Sequence, residues 1–499
     1  MNDTSQNQLA RNRLGVASIV FLVLAAVAPV TVAIVVLPLA ISFGNGGGTP
    51  VAVVIVAIAL LLFAVGYAQM TKELTNAGGF YAIAVKWLGR AAGLTTGIIA
   101  TIGYNVFVAG ALGTIGFFTG AVALPVIFGF ELHWYLCGVV LGVVVFLLAR
   151  SGIHVSAVVL GVALVLVLEI LLILAFAFSV LFTTGFDIQA ITLAFSLEIL
   201  VGGSVWIALL LVATAFIGFE ATALFGEEAR EPRKTIPRAT YVAIILIGAL
   251  HAFGAWAIVS ALGVFDAQQA GLDHLEGGDL TLMLMDQYLG PVMGIVAIVL
   301  LVVSLFAAQL AFHNSAARYL YALGRARVLP AWLAQTNAKG APQRGLAVNL
   351  IFALVIAGIF AVFVETDPEG NPLPPVATLV PVGLGFGTLS IMIVQAIAAL
   401  AVVVYFRRKR DPRIWSTLVA PGLGFLALLL FSVMAIVNFD LVAGSSALYV
   451  LMLPWVLVLA VVGGVIYARY LQTKRPETYA SLSQDLERLE ELEGAGAPE

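Results

Sequence analysis

Two acidic side chains lie deep inside long apolar stretches of this sequence, where a charge is costly and usually functional. Glu169 lies within an apolar run at 154–182, and Glu220 lies within a run at 200–226. Neither residue has a lysine or arginine beside it. A carboxyl group in a medium of low dielectric constant holds its proton more tightly than in water. Either residue could therefore exchange a proton near neutral pH or hold a cation. The structural alternative is a protonated glutamate that bonds a backbone carbonyl.

The composition excludes an ordinary water-soluble protein. Of the 499 residues, 62% are hydrophobic and 10% are charged, whereas soluble domains are about half apolar and about a quarter charged. Much of the surface must therefore face lipid. The single cysteine, Cys137, excludes a disulfide framework and a cysteine metal site, and no His/Asp/Glu cluster has metal-site spacing. The sequence has no phosphate-binding loop of the nucleotide-hydrolysing type, so we expect no ATP hydrolysis.

Twelve apolar runs approach or exceed the length of about 20 residues that a helix needs to cross the hydrocarbon. They lie at roughly 14–43, 50–70, 91–121, 133–150, 154–182, 200–226, 236–264, 287–316, 345–364, 376–405, 414–437 and 446–470. The first run is too long for the core of a signal peptide, so we interpret it as the first span. The sequence therefore predicts an all-α polytopic membrane protein with about twelve transmembrane helices.

The basic residues give the orientation of these spans. All 24 lysines and arginines lie before span 1, in alternate loops or after span 12, and the opposite loops carry acidic residues. Short loops rich in lysine and arginine stay in the cytoplasm. The sequence therefore predicts a multi-pass protein of the plasma (inner) membrane with both termini in the cytoplasm.

Two spans contain helix-breaking residues near mid-length. Span 1 contains Pro29, and proline removes one backbone hydrogen bond and clashes with the preceding turn. Span 6 contains Gly218, two residues before Glu220, and glycine allows the backbone to unwind. Broken backbone at membrane depth is tolerated only where it lines protein or a wet cavity. Interrupted segments at corresponding positions in two halves of a chain are typical of a transporter's midplane site.

Three groups of residues form motifs that are more specific together than singly. They are Phe216-Ile217-Gly218-Phe219-Glu220 with Gly226-Glu227-Glu228-Ala229 and Ile236-Pro237-Arg238-Ala239, then Asn314-Ser315-Ala316-Ala317-Arg318-Tyr319, and Ala77-Gly78-Gly79-Phe80-Tyr81. With these residues the chain resembles the amino acid–polyamine–organocation superfamily, which has the LeuT-like fold. The resemblance implies a five-plus-five inverted repeat and two C-terminal helices. The implied divisions are an N-terminus at 1–13, a transporter core at 14–405 with repeats at about 14–182 and 200–405, two spans at 406–470, and an acidic tail at 471–499.

The resemblance also implies a substrate site between the broken spans 1 and 6. By motif position, Glu220 contacts the substrate or couples the broken helix to its surroundings. The other residues expected to line the site are Ala28, Val30, Thr31, Tyr104, Phe216, Gly218 and Phe219. Glu169 lies where some proton-coupled members have a lysine that stands in for sodium. Because its charge is opposite, we interpret Glu169 as the proton-coupling carboxylate or as a cation ligand.

These features predict a secondary active transporter that takes up amino acids or related small amines by alternating access, with proton coupling. Span 1 lacks the Gly-Ser/Thr-Gly triplet that holds the substrate carboxylate in many amino-acid carriers, which favours an amine or polyamine. A putrescine-like importer and a substrate/product exchanger are the alternatives on the same fold. A membrane sensor derived from a transporter is the alternative of another class.

We expect no enzymatic activity, because no loop contains a nucleophile–base pair or a metal constellation. We expect no cofactor beyond a coupling ion, which is a proton or, as the alternative, sodium, and no metal or nucleic-acid partner. The expected partners are a small-molecule substrate and the lipid bilayer, and the sequence leaves the oligomeric state open.

Several other residues have structural interpretations. His251 and His313 could relay protons, but hydrogen-bonded histidines between packed helices explain them better. The glycine run from Gly44 to Gly48 predicts a flexible turn outside the membrane. Three glycines in span 10 predict close helix packing, namely Gly383, Gly385 and Gly387. The acidic tail predicts either a solvated helix or a docking helix, because its leucines have helical spacing. These leucines are Leu482, Leu486, Leu489 and Leu492.

Overall fold

The computed structural model describes residues 14–73, 79–151, 156–185, 188–220, 222, 229–367, 369–480 and 482. Ala77, Gly78 and the stretch from Gly226 to Glu228, which belong to the motifs above, lie outside the described residues. The α-helices are α1 Val16–Val27, α2 Pro29–Thr31, α3 Leu37–Leu39, α4 Thr49–Glu73, α5 Gly79–Leu88, α6 Arg90–Phe117, α7 Leu124–Phe128, α8 Trp134–Ser151, α9 Ser156–Thr184, α10 Ile188–Ala194, α11 Leu197–Val201, α12 Val205–Thr214, α13 Pro232–Leu262, α14 Ala267–Asp273, α15 Leu280–Leu289, α16 Pro291–Arg325, α17 Gln343–Val362, α18 Leu379–Arg408, α19 Ala420–Val437, α20 Phe439–Ala443 and α21 Leu448–Lys474.

Ten helical stretches in the described part of the chain are long and apolar enough to cross a membrane. The first, Val16–Thr71, is 56 residues long and contains the first two predicted spans. The shorter apolar helix α12 occupies the predicted sixth span, before its break. The stretches therefore correspond to the twelve predicted spans. The prediction of an all-α polytopic membrane protein is confirmed.

Close contacts between α6 and α18 hold the centre of the helical bundle together. A Cβ atom added to Gly383 would lie 2.6 Å from the Cα atom of Gly110, and one added to Gly387 would lie 2.6 Å from the Cβ atom of Phe107. Only glycine lets the two backbones approach this closely, as small residues do between membrane helices. The close packing predicted from the span 10 glycines is therefore confirmed.

The glycine run between spans 1 and 2 is buried within the protein, so the prediction of a flexible turn is wrong, whereas its position outside the membrane stays a prediction. Gly46–Gly48 form a 3-10 turn whose residues are all buried. A Cβ atom added to Gly47 would lie 2.2 Å from the carbonyl oxygen of Val264, and one added to Gly46 would lie 2.8 Å from the Cβ atom of Gln268. The run consists of glycine because the end of α13 and the short helix α14 pack directly against it.

The beginning of the C-terminal tail packs on α5 and on the start of α6. Leu482 is buried, and its carbonyl oxygen accepts a hydrogen bond of 3.4 Å from the Tyr81 hydroxyl. The guanidinium of Arg90 lies 5.4 Å from the ring centre of Tyr479. For this part of the tail the structure favours docking over a solvated helix. The remaining tail leucines lie outside the described residues, namely Leu486, Leu489 and Leu492.

We expect Gly47→Ala to destabilise the protein by about 1–3 kcal/mol, because overpacking forces backbone shifts. The matched control is Gly463→Ala in α21, where an added Cβ atom meets nothing within 4 Å. This control should be neutral or stabilising by up to about 1 kcal/mol, because alanine favours helix over glycine. Thermal unfolding of the purified variants measures both changes. Equal stabilities would contradict the tight packing of the turn.

Candidate functional site

The first span is interrupted at Ala28. Helix α1 ends at Val27, and Ala28 adopts the left-handed conformation with φ 58° and ψ 74°. Helix α2 then begins at Pro29, which has no N–H and cannot continue the hydrogen bonds of α1. A left-handed alanine is strained and persists only where the surrounding structure holds it. The break predicted in span 1 is therefore present.

Glu169 on α9 closes this break from the side. The N–H of Val30 donates a hydrogen bond of 3.3 Å to Oε2 of Glu169, and the glutamate is 3% exposed. The Ser304 hydroxyl on α16 lies beside the same carboxyl group without reaching hydrogen-bond geometry. Negative charge at the start of a helix is stabilising, because the first N–H groups point toward it. The partner of Glu169 is thus a backbone amide of the broken first span.

The sixth span is interrupted just after α12. Helix α12 ends at Thr214, and Gly218 adopts a φ of 116°, which strongly favours glycine. The N–H of Gly218 donates a hydrogen bond of 2.8 Å to Oε2 of Glu220. The glutamate side chain therefore folds back and satisfies the backbone that the break exposes. The break predicted in span 6 is also present.

The two breaks lie against each other. A Cβ atom added to Gly218 would lie 3.6 Å from the Cβ atom of Ala26 and 3.6 Å from Cγ2 of Val27. The unwound part of the sixth span thus packs on the last turn of α1. The structure brings the Ala28, Val30 and Gly218 regions together, as the resemblance implied.

Tyr104 on α6 is the third member of the site. Its hydroxyl donates a hydrogen bond of 2.6 Å to Oε1 of Glu220. Both residues are buried, at 4% and 7% exposure. The Glu220 carboxyl group therefore receives one donor on each oxygen, from Tyr104 and from Gly218. Within the described residues neither Glu169 nor Glu220 forms an ion pair, and no group of His, Cys, Asp and Glu could hold a metal ion.

Two further tyrosines lie near Tyr104 and Glu220, and the sequence did not predict them as site residues. Tyr319 stacks on Tyr104 with ring centres 5.2 Å apart. Tyr67 and Tyr319 both lie close enough to Glu220 to interact with it electrostatically. In the sequence, each of these residues is only a tyrosine within an apolar helix. The sequence does not show whether such a side chain faces the site or another part of the protein.

Phe216 and Phe219 pack against helices on the side of α4 and α13, and their predicted role in substrate binding stays a prediction. The ring of Phe219 lies edge-on to Phe63 on α4, with ring centres 6.1 Å apart, and Phe216 packs toward Gly248 on α13. Both phenylalanines line a small cavity between α4, α12, α18 and α19. They support the broken backbone from the far side.

Thr31 carries unused polar groups at the start of α2. Its hydroxyl is buried and has no hydrogen-bond partner in the structure. Pro29 has no N–H and the N–H of Val30 is taken by Glu169, whereas the Thr31 amide is among the first N–H groups of a helix, which lack an intrahelical acceptor. The predicted role of Thr31 in substrate binding remains a prediction.

We expect Tyr104→Phe to destabilise the protein by about 1.5–3 kcal/mol. The variant loses the hydrogen bond that the Tyr104 hydroxyl donates to the buried, charged carboxylate of Glu220. The matched control is Tyr135→Phe, which removes a 3.2 Å bond to the carbonyl oxygen of Leu354. That bond has a neutral acceptor and should cost only about 0.5–1.5 kcal/mol. Thermal unfolding of both variants measures the difference. A larger loss of stability in Tyr135→Phe than in Tyr104→Phe would contradict the interpretation that the Tyr104 hydroxyl donates to a charged carboxylate.

Comparison with known proteins agrees with this geometry. The chain matches the family model described as amino acid permease over residues 14–462. The branched-chain amino acid permease BcaP of Lactococcus lactis is 28% identical over 167 residues, which are 31% of this chain and 32% of BcaP. Uncharacterized transporters of Mycobacterium bovis and Mycobacterium tuberculosis are each 28% identical over 200 residues, which are 40% of this chain and 40% of theirs. The matches thus span less than half the length of these curated relatives.

The match to the family model covers most of the chain, including both broken spans and both intramembrane glutamates. A permease family consists of transporters, so the prediction that the chain is not an enzyme is confirmed. The resemblance found in the motifs is confirmed as well. The protein belongs to the amino acid permease family.

Proposed function

We propose that this protein is a secondary active transporter that takes up an amino acid or a related small amine, driven by protons, across the plasma membrane. The observation that carries the proposal is the buried carboxyl group of Glu220, which lies at a broken helix and has no counter-ion among the described residues. An uncompensated buried carboxylate is costly. A substrate that supplies a positive charge would remove this cost each time it binds.

Recognition of the substrate ammonium group is assigned to Glu220, Tyr104 and Tyr319. Oε1 and Oε2 of Glu220 accept from Tyr104 and Gly218, and each oxygen has a further lone pair for an ammonium donor. The faces of Tyr104 and Tyr319 add an electrostatic attraction for a cation within about 6 Å. Because Gly218 belongs to the break, substrate binding at Glu220 would change the conformation of the sixth span. This link supports alternating access around the two breaks.

Proton coupling is assigned to Glu169. In its charged form this residue accepts a charge-assisted hydrogen bond from the first available N–H of α2. Protonation would weaken that bond and release the start of α2 from α9. The same carboxyl group, with the Ser304 hydroxyl beside it, also offers oxygen ligands to a sodium ion, which is the second candidate for the coupling ion.

The start of α2 favours substrates that are recognised through an amine. A helix start normally offers several N–H groups to a carboxylate. Here Pro29 has none and the N–H of Val30 is occupied by Glu169, which leaves the Thr31 amide and fewer donors than a helix start usually offers. The name of BcaP adds branched-chain amino acids to the substrates to be tested. Amines and polyamines remain the candidates that the site chemistry favours.

A ligand screen followed by flux measurements tests the proposal. Purified protein is heated with leucine, isoleucine, valine, putrescine and other amines, because a ligand that binds the folded state raises its apparent stability. Each hit is then measured for uptake into liposomes with and without a proton gradient. Uptake that follows the gradient supports a symporter, and flux that requires substrate on both sides identifies an exchanger. Binding without any flux would identify a sensor.

We expect Glu220→Gln to reduce substrate uptake to background. The glutamine has no charge for an ammonium group, which should weaken binding about 10- to 100-fold. The matched control is Glu365→Gln, because Glu365 also accepts a 2.6 Å bond from a tyrosine hydroxyl but is located in the loop between α17 and α18. Radiolabelled uptake into liposomes measures both variants. Uptake at the wild-type rate in Glu220→Gln would refute the assignment.

We expect Glu169→Gln to uncouple uptake from the proton gradient. The glutamine oxygen can still accept from the Val30 N–H, so the fold is retained while the titratable group is lost. Substrate accumulation at pH 6 outside and pH 8 inside should therefore equal accumulation without a gradient. Accumulation that still follows the gradient would make Glu169 a structural residue. Dependence on sodium in the wild-type protein would identify the other coupling ion.

The proposed orientation places both termini in the cytoplasm. We expect a membrane-impermeant maleimide to label Gln269→Cys on α14 in intact cells, because the basic loops place this segment outside. Gln472→Cys in α21 should be labelled only after the membrane is disrupted. Both side chains are exposed in the structure. Labelling of Gln472→Cys in intact cells would show that the opposite orientation is correct.

A further inference from the structure

A chain of buried polar side chains connects α6, α17 and α16 and includes neither intramembrane glutamate. Nδ2 of Asn105 donates to the carbonyl oxygen of Thr101 at 2.7 Å. Nδ2 of Asn349 donates to Oδ1 of Asn105 at 2.8 Å, and Nδ1 of His313 lies 2.5 Å from Oδ1 of Asn349. The side chains of Asn105, His313 and Asn349 are all buried.

The direction of this chain fixes the tautomer of His313. A carbonyl oxygen only accepts, so Asn105 must present its amide nitrogen to Thr101 and its oxygen to Asn349. Asn349 must then present its own oxygen to His313. Reversing either amide would place two oxygen atoms, or two N–H groups, against each other. Nδ1 of His313 therefore carries the hydrogen, and Nε2 of the neutral ring is an acceptor.

Two buried acceptors on α16 have no partner in the structure. One is Nε2 of His313, and the other is Oε1 of Gln309, four residues earlier. The amide nitrogen of Gln309 donates to the carbonyl oxygen of Val108 on α6 at 3.4 Å. Residues four apart lie on the same helix face, so the two acceptors are neighbours on one face of α16. Two acceptors cannot satisfy each other, and a buried polar group without a partner is costly.

Water is the smallest neutral molecule that can donate two hydrogen bonds. Nδ1 of the neutral His313 ring carries the hydrogen, so Nε2, like Oε1 of Gln309, can only accept. We propose that Gln309 and His313 bind one buried water molecule, which donates one O–H to Oε1 of Gln309 and the other to Nε2 of His313.

This water molecule would close a ring of hydrogen bonds that begins and ends on α6. The ring runs from the Thr101 carbonyl through the two asparagines, His313, the water and Gln309 to the Val108 carbonyl. Tyr104, whose hydroxyl donates to Glu220, lies between these two carbonyl groups along α6. Closing the ring would therefore fix the α6 backbone on both sides of Tyr104. Buried waters with two to four polar partners are regular parts of protein structures.

Nitrogen-15 solid-state NMR of the full-length protein in lipid bilayers tests the site directly. With histidine labelled at both ring nitrogens, the signals of His313 are identified as those that disappear in His313→Gln. We expect Nδ1 to carry a hydrogen, and Nε2 to be unprotonated and to show magnetisation transfer from water. A hydrogen on Nε2, or an unprotonated Nε2 without water transfer, would overturn the proposal. This measurement does not depend on transport, so it stands or falls separately from the proposed function.

The variant Gln309→Leu tests whether the water depends on both acceptors. We expect the water transfer to Nε2 of His313 to be lost and the melting temperature to fall. The matched control is Gln395→Leu on α18, because Gln395 is equally buried and also has an unpartnered polar atom. In this control the water transfer should persist. Persistence of the transfer in Gln309→Leu would overturn the proposed site, and the wild-type spectrum decides the question if that variant fails to fold.

Discussion

Every backbone N–H and carbonyl group at membrane depth must find a partner inside the protein, because lipid offers none. The two interrupted spans create a local deficit of such partners, and a glutamate covers each one. Glu169 accepts from Val30 at the first break, and Glu220 accepts from Gly218 at the second. The acidic groups that could carry charge through the membrane are thus the same groups that hold the broken backbone in place. This double use is the basis of the proposed mechanism.

A carboxyl group that also serves as a backbone acceptor links its own charge to the conformation of the helix. If the group takes up a proton or binds a cation, the hydrogen bond to the break weakens, and the half-helix can move. The link is reciprocal, because a movement of the half-helix changes the affinity for the proton or cation by the same factor. In the proposed mechanism, the left-handed Ala28 and the positive φ of Gly218 are the two points about which the half-helices would turn. Coupled transport requires linkage of this kind between an ion and a substrate.

The moving parts need a fixed reference, and α6 is suited to that role. Its glycine contacts with α18 leave no space between the two backbones, and polar side chains connect it to α16 and α17. Tyr104 projects from this helix onto Glu220. In the proposed mechanism, a small movement of the sixth span would change the hydrogen bond between Glu220 and Tyr104, because Tyr104 is held by α6. The packed glycine turn at Gly46–Gly48 similarly holds the C-terminal end of the first span against α14.

The sequence by itself determined the protein class, the spans, the positions of both breaks and the two intramembrane glutamates. It did so because composition, proline and glycine act locally along the chain. Only the tertiary structure decided that Glu169 bonds to Val30, which is 139 residues away in the sequence. It also decided that Tyr67 and Tyr319 lie near Glu220 and that the Gly46–Gly48 turn is buried. In a soluble protein the apolar face of a helix shows which side turns inward. In lipid all faces are apolar, so the rotation of each helix is set by packing and by polar contacts between distant spans, which a single sequence does not display.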